Sequence, residues 1–270
     1  NAELTVNDTN TTAIHGSIGK VIMNTNAKAD LSDANVENVT LNGGANVTVK
    51  SGTALSVTGS VTGSVTINGI QLTNLIANTK IKATSAGLEI VGGTTDTVKI
   101  STDKDATIKF VENQQKNVEV TSTGDNKTIT IDASERIANL SVKANSVSAG
   151  KTGIVDISNL LYNAIDIADK ASIKTNTEKT IDGYTITPNG YVTISKDSTK
   201  IKINGKATVK FEMAKTESVN DKDKTIIKNG ETVIIGTTDT KKLTHIQGEV
   251  NYSIKNMVVT VESTTDLTIE

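Results

Sequence analysis

Aromatic residues make up only 2% of the 270-residue chain: there is no Trp, two Phe and four Tyr. Cysteine is absent, proline occurs once, and Arg136 is the sole arginine beside an abundance of lysine. Each gap excludes something. Without cysteine there is no disulfide framework, no thiolate zinc site and no cysteine nucleophile. Lys and Arg total 28 against 30 Asp and Glu, a formal charge of -2, so no basic face presents itself to nucleic acid and few rings are available to stack on bases. No run approaches the roughly 18 apolar residues of a transmembrane helix. No signal peptide is visible at Asn1, and that does not argue for the cytoplasm.

What the chain does have is 36% hydrophobic residues, mostly Val, Ile, Leu and Ala set among Thr and Asn, a composition that favours strands. It also repeats. Shifting Lys20-Val21-Ile22-Met23-Asn24 by eighteen positions lays it on Asn38-Val39-Thr40-Leu41-Asn42. The following Ala27-Lys28-Ala29-Asp30-Leu31 then lands on Ala45-Asn46-Val47-Thr48-Val49. The unit is two short alternating strands joined by a polar turn. It recurs at about twenty residues in Val98-Lys99-Ile100 with Ala106 to Phe110, in Val118-Glu119-Val120 with Thr128 to Ile131, and in Ile165-Asp166-Ile167 with Ala171 to Ile173. From Leu55 to Ile90 the strand character persists but the register breaks.

Two or three strands of about five residues cannot bury their own apolar face, so copies must stack and share a core. The fold expected is therefore all-β: a parallel β-solenoid with an antiparallel, hairpin-rich C-terminal region. A narrow coil interior holds small aliphatic residues, which accounts for the shortage of rings. The expected division is an N-terminal strand or arm over 1–14, the solenoid over 15–180 and a β end region over 181–270 that could cap the stack, with a last coil-like unit at 201–211. Two hairpins are expected in the end region. One turns at Pro188-Asn189-Gly190 between Tyr184-Thr185-Ile186-Thr187 and Tyr191-Val192-Thr193-Ile194; the other turns at Asn229-Gly230. Only Ser158 to Lys170 offers a helix start and helix formers.

Catalytic constellations are sparse. Ser-x-x-Lys at Ser17/Lys20, Ser101/Lys104 and Ser148/Lys151 occurs about as often as composition alone provides. His15 and His245 fit no metal-binding pattern and read as surface or turn residues. A polysaccharide lyase needs a base beside a uronate, and Arg136 is the only arginine that could serve. Calcium has a modest basis, because Asp103-Lys104-Asp105 and Asp221-Lys222-Asp223 each place two carboxylates two residues apart in turn-like segments. Tyr184 and Tyr191, flanking the expected hairpin turn, are the nearest thing to a carbohydrate platform, with a cross-strand pair as the plainer reading. The outward strand positions mix Thr, Lys, Glu and Asp, without a flat threonine ladder.

Val36-Glu37-Asn38-Val39-Thr40-Leu41-Asn42-Gly43 and Ala45-Asn46-Val47-Thr48-Val49-Lys50-Ser51-Gly52 resemble the Val/Thr/Asn-rich β-solenoid regions of Gram-positive cell-surface proteins, including those attached to S-layer-homology modules. The likeness spans roughly residues 15–175. It implies a secreted, non-catalytic structural or adhesive protein of a surface layer, filament or adhesin, with no cofactor beyond possible calcium. The expected partners are further copies or other surface proteins, met through β edges such as Glu3-Leu4-Thr5-Val6 or Leu267-Thr268-Ile269-Glu270, and cell-wall or extracellular polysaccharide. The alternative expectation is a polysaccharide-binding β-helix protein, with a lyase third.

Overall fold

The computed structural model describes residues 2–49, 54–59, 63–73, 79–91, 97–112, 117–133, 135–144, 153–217 and 219–270. These residues form strands and turns with no helix, and they include a parallel β-solenoid of about seven turns. The chain divides into two compact units, Asn1–Asp166 and Ile167–Glu270.

In the first unit the eighteen-residue repeat becomes the register itself. Lys20 pairs with Asn38 and Met23 with Leu41 in one parallel ladder, and Lys28 pairs with Asn46 and Leu31 with Val49 in the other. Each coil therefore gives one strand to each of two sheets. Alternation then sorts the side chains: Val21, Val39, Met23 and Leu41 from one sheet, and Ala29, Val47, Leu31 and Val49 from the other, are all buried. Only alanine occupies the tight corners at Ala27 and Ala45, both fully buried. Burying one such Val, Leu or Ile side chain contributes about 1.5–3 kcal/mol, so stacking supplies what a lone coil lacks. Later coils are longer, with Gly87 opposite Thr107 and Ala106 opposite Ile129, and the extra residues fall between strands.

The register expected to break at Leu55 holds through Ile67, with Asn38 opposite Ser56 and Asn46 opposite Ser64; the break comes after Ile67 and is a reversal of direction. Asn68 and Gly69 both have positive φ (52° and 75°) and turn the chain between Ile67 and Ile70, which are paired. The strand Ile70–Thr73 then runs antiparallel to Ser64–Ile67 on one side and to Thr97–Thr102 on the other. Thr79–Thr84 likewise runs antiparallel to both Ala54–Gly59 and Gly87–Val91. One coil thus runs backwards between two forward stacks. The core tolerates this because a period of two has no direction: Ile70, Leu72 and Ile81 still point inward and are buried.

The second unit consists of six long antiparallel strands, each interrupted near its middle. In chain order they cover 171–181, 184–196, 201–212, 222–235, 241–255 and 258–269. The first three form one meander and the last three another, joined where Ile201–Glu212 lies against Val258–Ile269 along its length. The interruptions line up as a row of corners at 175–178, 189–190, 205–206, 228–230, 246–249 and about residue 265.

This arrangement corrects several expectations. Tyr184–Pro188 and Tyr191–Lys196 run in the same direction along one partner, Ile201–Glu212, so Asn189-Gly190 is a bulge rather than a hairpin tip. The reversal comes at Asp197 to Lys200, which exchange backbone hydrogen bonds of 2.8 and 3.3 Å. At Asn229-Gly230 the chain turns a corner, and Lys222–Ile227 pairs with Val250–Lys255 while Glu231–Ile235 pairs with Lys241–His245. The coil-like unit at 201–211 is a single bulged strand. Leu267 to Ile269 is paired on both sides, with Ile201 to Ile203 and Leu243 to His245, and is no free edge. Within Ser158 to Lys170 the structure places the strand Tyr162–Ile167 and no helix. Gly205 marks its corner for a steric reason: its φ is +125°, and a Cβ there would lie 2.6 Å from the carbonyl oxygen of Tyr191.

Candidate interaction surface

The sequence-predicted site residues are scattered. Tyr184 faces inward and meets Phe211 edge-on, with ring centroids 5.8 Å apart at 64°; burial, followed by the Asp182 charge, raises its phenol above the ordinary range. Tyr191 lies beyond the corner, opposite Lys174, and is exposed. The two rings do not form a cross-strand pair about a hairpin tip. Asp105 accepts the Thr128 N–H at 2.9 Å and Lys127 Nζ at 3.0 Å, and these bonds hold its carboxyl below the ordinary range. It stitches two coils together. Asp103 sits in the same turn. Asp221 accepts the Asn256 N–H at 3.0 Å and shares a shallow cleft with Asp223, Lys222, Lys224 and Lys255. Among the described residues no three His, Asp or Glu side chains are grouped to hold a metal ion. Arg136 donates through Nη1 to the Tyr162 carbonyl at 2.9 Å, another stitch between neighbouring coils.

Two polar features escaped the sequence reading. His15 is exposed beside Asp33, as expected, but His245 is not a surface residue: its side chain is 2% exposed. Its Nδ1 lies 3.0 Å from Oδ1 of Asp266, itself 5% exposed, and Asp266 Oδ1 also accepts the Ile246 N–H at 3.2 Å. Spacing carried the signal, because His245 stands two residues after buried Leu243 and shares its face. Glu217 offered no such clue. Its carboxylate receives the backbone N–H groups of Thr237, Thr238 (2.9 Å) and Asp239 (2.5 Å), together with the Thr237 hydroxyl (2.9 Å). Those donors pull its pKa down to about 2.

The outer face of the solenoid is built from side chains that partner their own neighbours one coil away. Asn139 donates to Asn117 Oδ1 at 2.6 Å, Thr40 and Thr58 share a hydrogen bond of 3.0 Å, and Asn24 donates to Asn7 at 2.5 Å. Glu119 lies 2.8 Å from Lys143 and 3.7 Å from Lys99. Where Asn117, Glu119 and Asn139 approach Asp166, a cleft of about 280 Å³ crosses several coils.

The second unit has a different kind of surface. Among the described residues its fourth strand, 222–235, is registered with a partner on one side only, so a row of backbone N–H and C=O groups lacks a registered partner over most of its length. Ile226 and Ile234 on this strand are 49% and 61% exposed. Lys222, Asp223 and Lys224 guard its first half, whereas Thr232 to Ile235 carries no charge. No family model, curated protein or solved structure matches the chain.

Proposed function

We propose that this protein is a non-enzymatic, extracellular structural or adhesive surface protein, a module of a surface layer, filament or adhesin that meets its neighbours through β edges. The observation that carries the reading is the 222–235 edge, where unpaired backbone and two exposed isoleucines occur together on one long strand. The solenoid supports it, since a stack of coils provides a stiff body with ladders of mutually bonded side chains outside. Light scattering over a concentration series, with and without calcium, together with sedimentation on cell wall and insoluble polysaccharide, tests the proposal. Self-association that weakens in Ile226→Lys/Ile234→Lys supports it. A chain that stays monomeric throughout and is retained by neither wall nor polysaccharide refutes it.

A polysaccharide-binding role is the second reading. The cleft over Asn117, Glu119 and Asn139 favours it, because planar amide and carboxylate groups that repeat at the coil spacing of about 4.8 Å suit a chain of hydroxyl-bearing rings. A glycan array with Asn117→Ala/Asn139→Ala beside the parent distinguishes it. A lyase is less well supported, since Arg136 already serves the Tyr162 carbonyl; absence of unsaturated products from acidic polysaccharides removes it.

A further inference from the structure

One pocket of the second unit gathers four lysines against two aspartates. It encloses about 290 Å³ and is lined by Lys170, Lys196, Lys200 and Lys202 with Asp169, Asp197, Ser195 and Thr268. Lys196 is committed to Asp182, with Nζ 2.5 Å from Oδ2. Lys170, Lys200 and Lys202 make no ion pair among the described residues. The two aspartates are occupied by the backbone: Asp169 accepts the Lys196 N–H at 2.8 Å, and Asp197 accepts the Ser198 N–H at 2.6 Å and its hydroxyl at 3.1 Å.

The lysines stand on tied-down backbone. Lys170 has φ of 61° in a turn closed by a 3.1 Å bond from the Ala171 N–H to the Ala168 carbonyl, and Asp169 fastens that turn to the strand Tyr191–Lys196. Lys200 ends the Asp197 to Lys200 turn. Lys202 lies in the sheet between Ser195 and Thr268, its partners on either side, so hydroxyl-bearing side chains stand on both sides of it on the same face. Ammonium groups around a small concavity, with hydroxyls between them, suit an anion that also carries hydroxyls.

We infer that this pocket binds an acidic polysaccharide, taking one carboxylate- or phosphate-bearing sugar between Lys170, Lys200 and Lys202 while Ser195 and Thr268 reach its hydroxyls. The inference rests on the adhesive reading above and names a ligand class for it. Neutral glycans lack the charge the lysines require.

Immobilised polygalacturonate, phosphate-substituted dextran and unsubstituted dextran are the probes, with the full chain titrated at low and physiological salt. Binding to at least one acidic probe and not to plain dextran is expected, weakening with salt. Lys170→Gln/Lys200→Gln/Lys202→Gln lowers affinity by about tenfold, three exposed charge contacts each being worth a few-fold. Lys222→Gln/Lys224→Gln/Lys255→Gln, which neutralises the other lysine-lined cleft, leaves it unchanged. The acidic probe held more tightly identifies the acid group. Failure to bind either acidic probe, parent-like affinity in the first variant, or equal losses in both variants overturns the inference. Light scattering separates this from the assembly proposal, since the first lysine variant leaves the 222–235 edge intact and self-associates as the parent does.

Discussion

The backward coil is open to a direct covalent test, because a chain with no cysteine accepts an engineered pair without competing thiols. In the structure Gln71 and Ser101 lie opposite each other in an antiparallel ladder, and both side chains are at least partly exposed. Opposed residues in such a ladder have Cα atoms about 4.5–5.5 Å apart, inside the range a disulfide spans. Gln71→Cys/Ser101→Cys therefore oxidises readily and closes a loop of about 30 residues, which by loop-closure entropy stabilises the first unit by about 3.5 kcal/mol. For a unit of this size that corresponds to a rise of roughly 7–14 °C in its melting temperature, read by calorimetry with and without reductant. The control is Lys82→Cys/Ser101→Cys. Were every coil to run forwards, the Ile81-Lys82-Ala83 segment would stack beside Thr97–Thr102 and this pair would cross-link. With one coil reversed, Lys82 lies in the other sheet opposite Glu89, and the pair stays reduced. Cross-linking of the control, or failure of the Gln71 pair, refutes the reversal.

Two further perturbations probe the second unit. Glu217 titrates at about 2 in the folded chain against an ordinary 4.5, so its contribution is complete above pH 4.5 and disappears as pH falls from there towards 2. Glu217→Gln is less stable than the parent at neutral pH, and urea midpoints of the two converge on acidification; a constant gap across that range contradicts the assignment. Gly205→Ala, which drives a Cβ into the Tyr191 carbonyl at a left-handed φ, costs at least about 3 kcal/mol. Gly248→Ala, also left-handed but in open space, costs only about 1–2 kcal/mol, and similar urea midpoints for the two would undo the corner argument.

How much of this was legible depended on whether the information was periodic. The lanes Val21 with Val39 and Ala29 with Val47 could be read directly, because every coil presents the same inner positions to its neighbour. The direction of the coil 70–84 was hidden, since Ile70-x-Leu72 looks the same read either way. One local marker was Asn68-Gly69, whose backbone suits a two-residue hairpin. Buried polar groups such as Asp266 and Glu217 were illegible for another reason: each is satisfied by partners about twenty residues away, and nothing in the local sequence names those partners. The lysine pocket belongs with them, as it brings residues 170, 200, 202 and 268 together only once the meanders pair.

Asn68-Gly69 and Asn229-Gly230 show where local turn chemistry stops being decisive. Gly69 and Gly230 have nearly the same backbone angle, φ 75° and 73°, yet the first ends in a hairpin and the second at a corner between strands with different partners. The turn itself fixes only a change of direction; which strands then pair depends on what each flank can bury. After Asn68-Gly69, Ile70 and Leu72 continue straight into an interior already lined by Ile67 and Val65. After Asn229-Gly230, Lys222 to Ile226 and Glu231 to Ile234 have little to bury against each other, and Ile227 and Ile235 instead turn inward and are buried, Ile227 opposite Val250. That division leaves 222–235 as an outer strand with isoleucines in water. The same failure to form a hairpin that defeats the local turn signal thus creates the edge on which assembly is proposed.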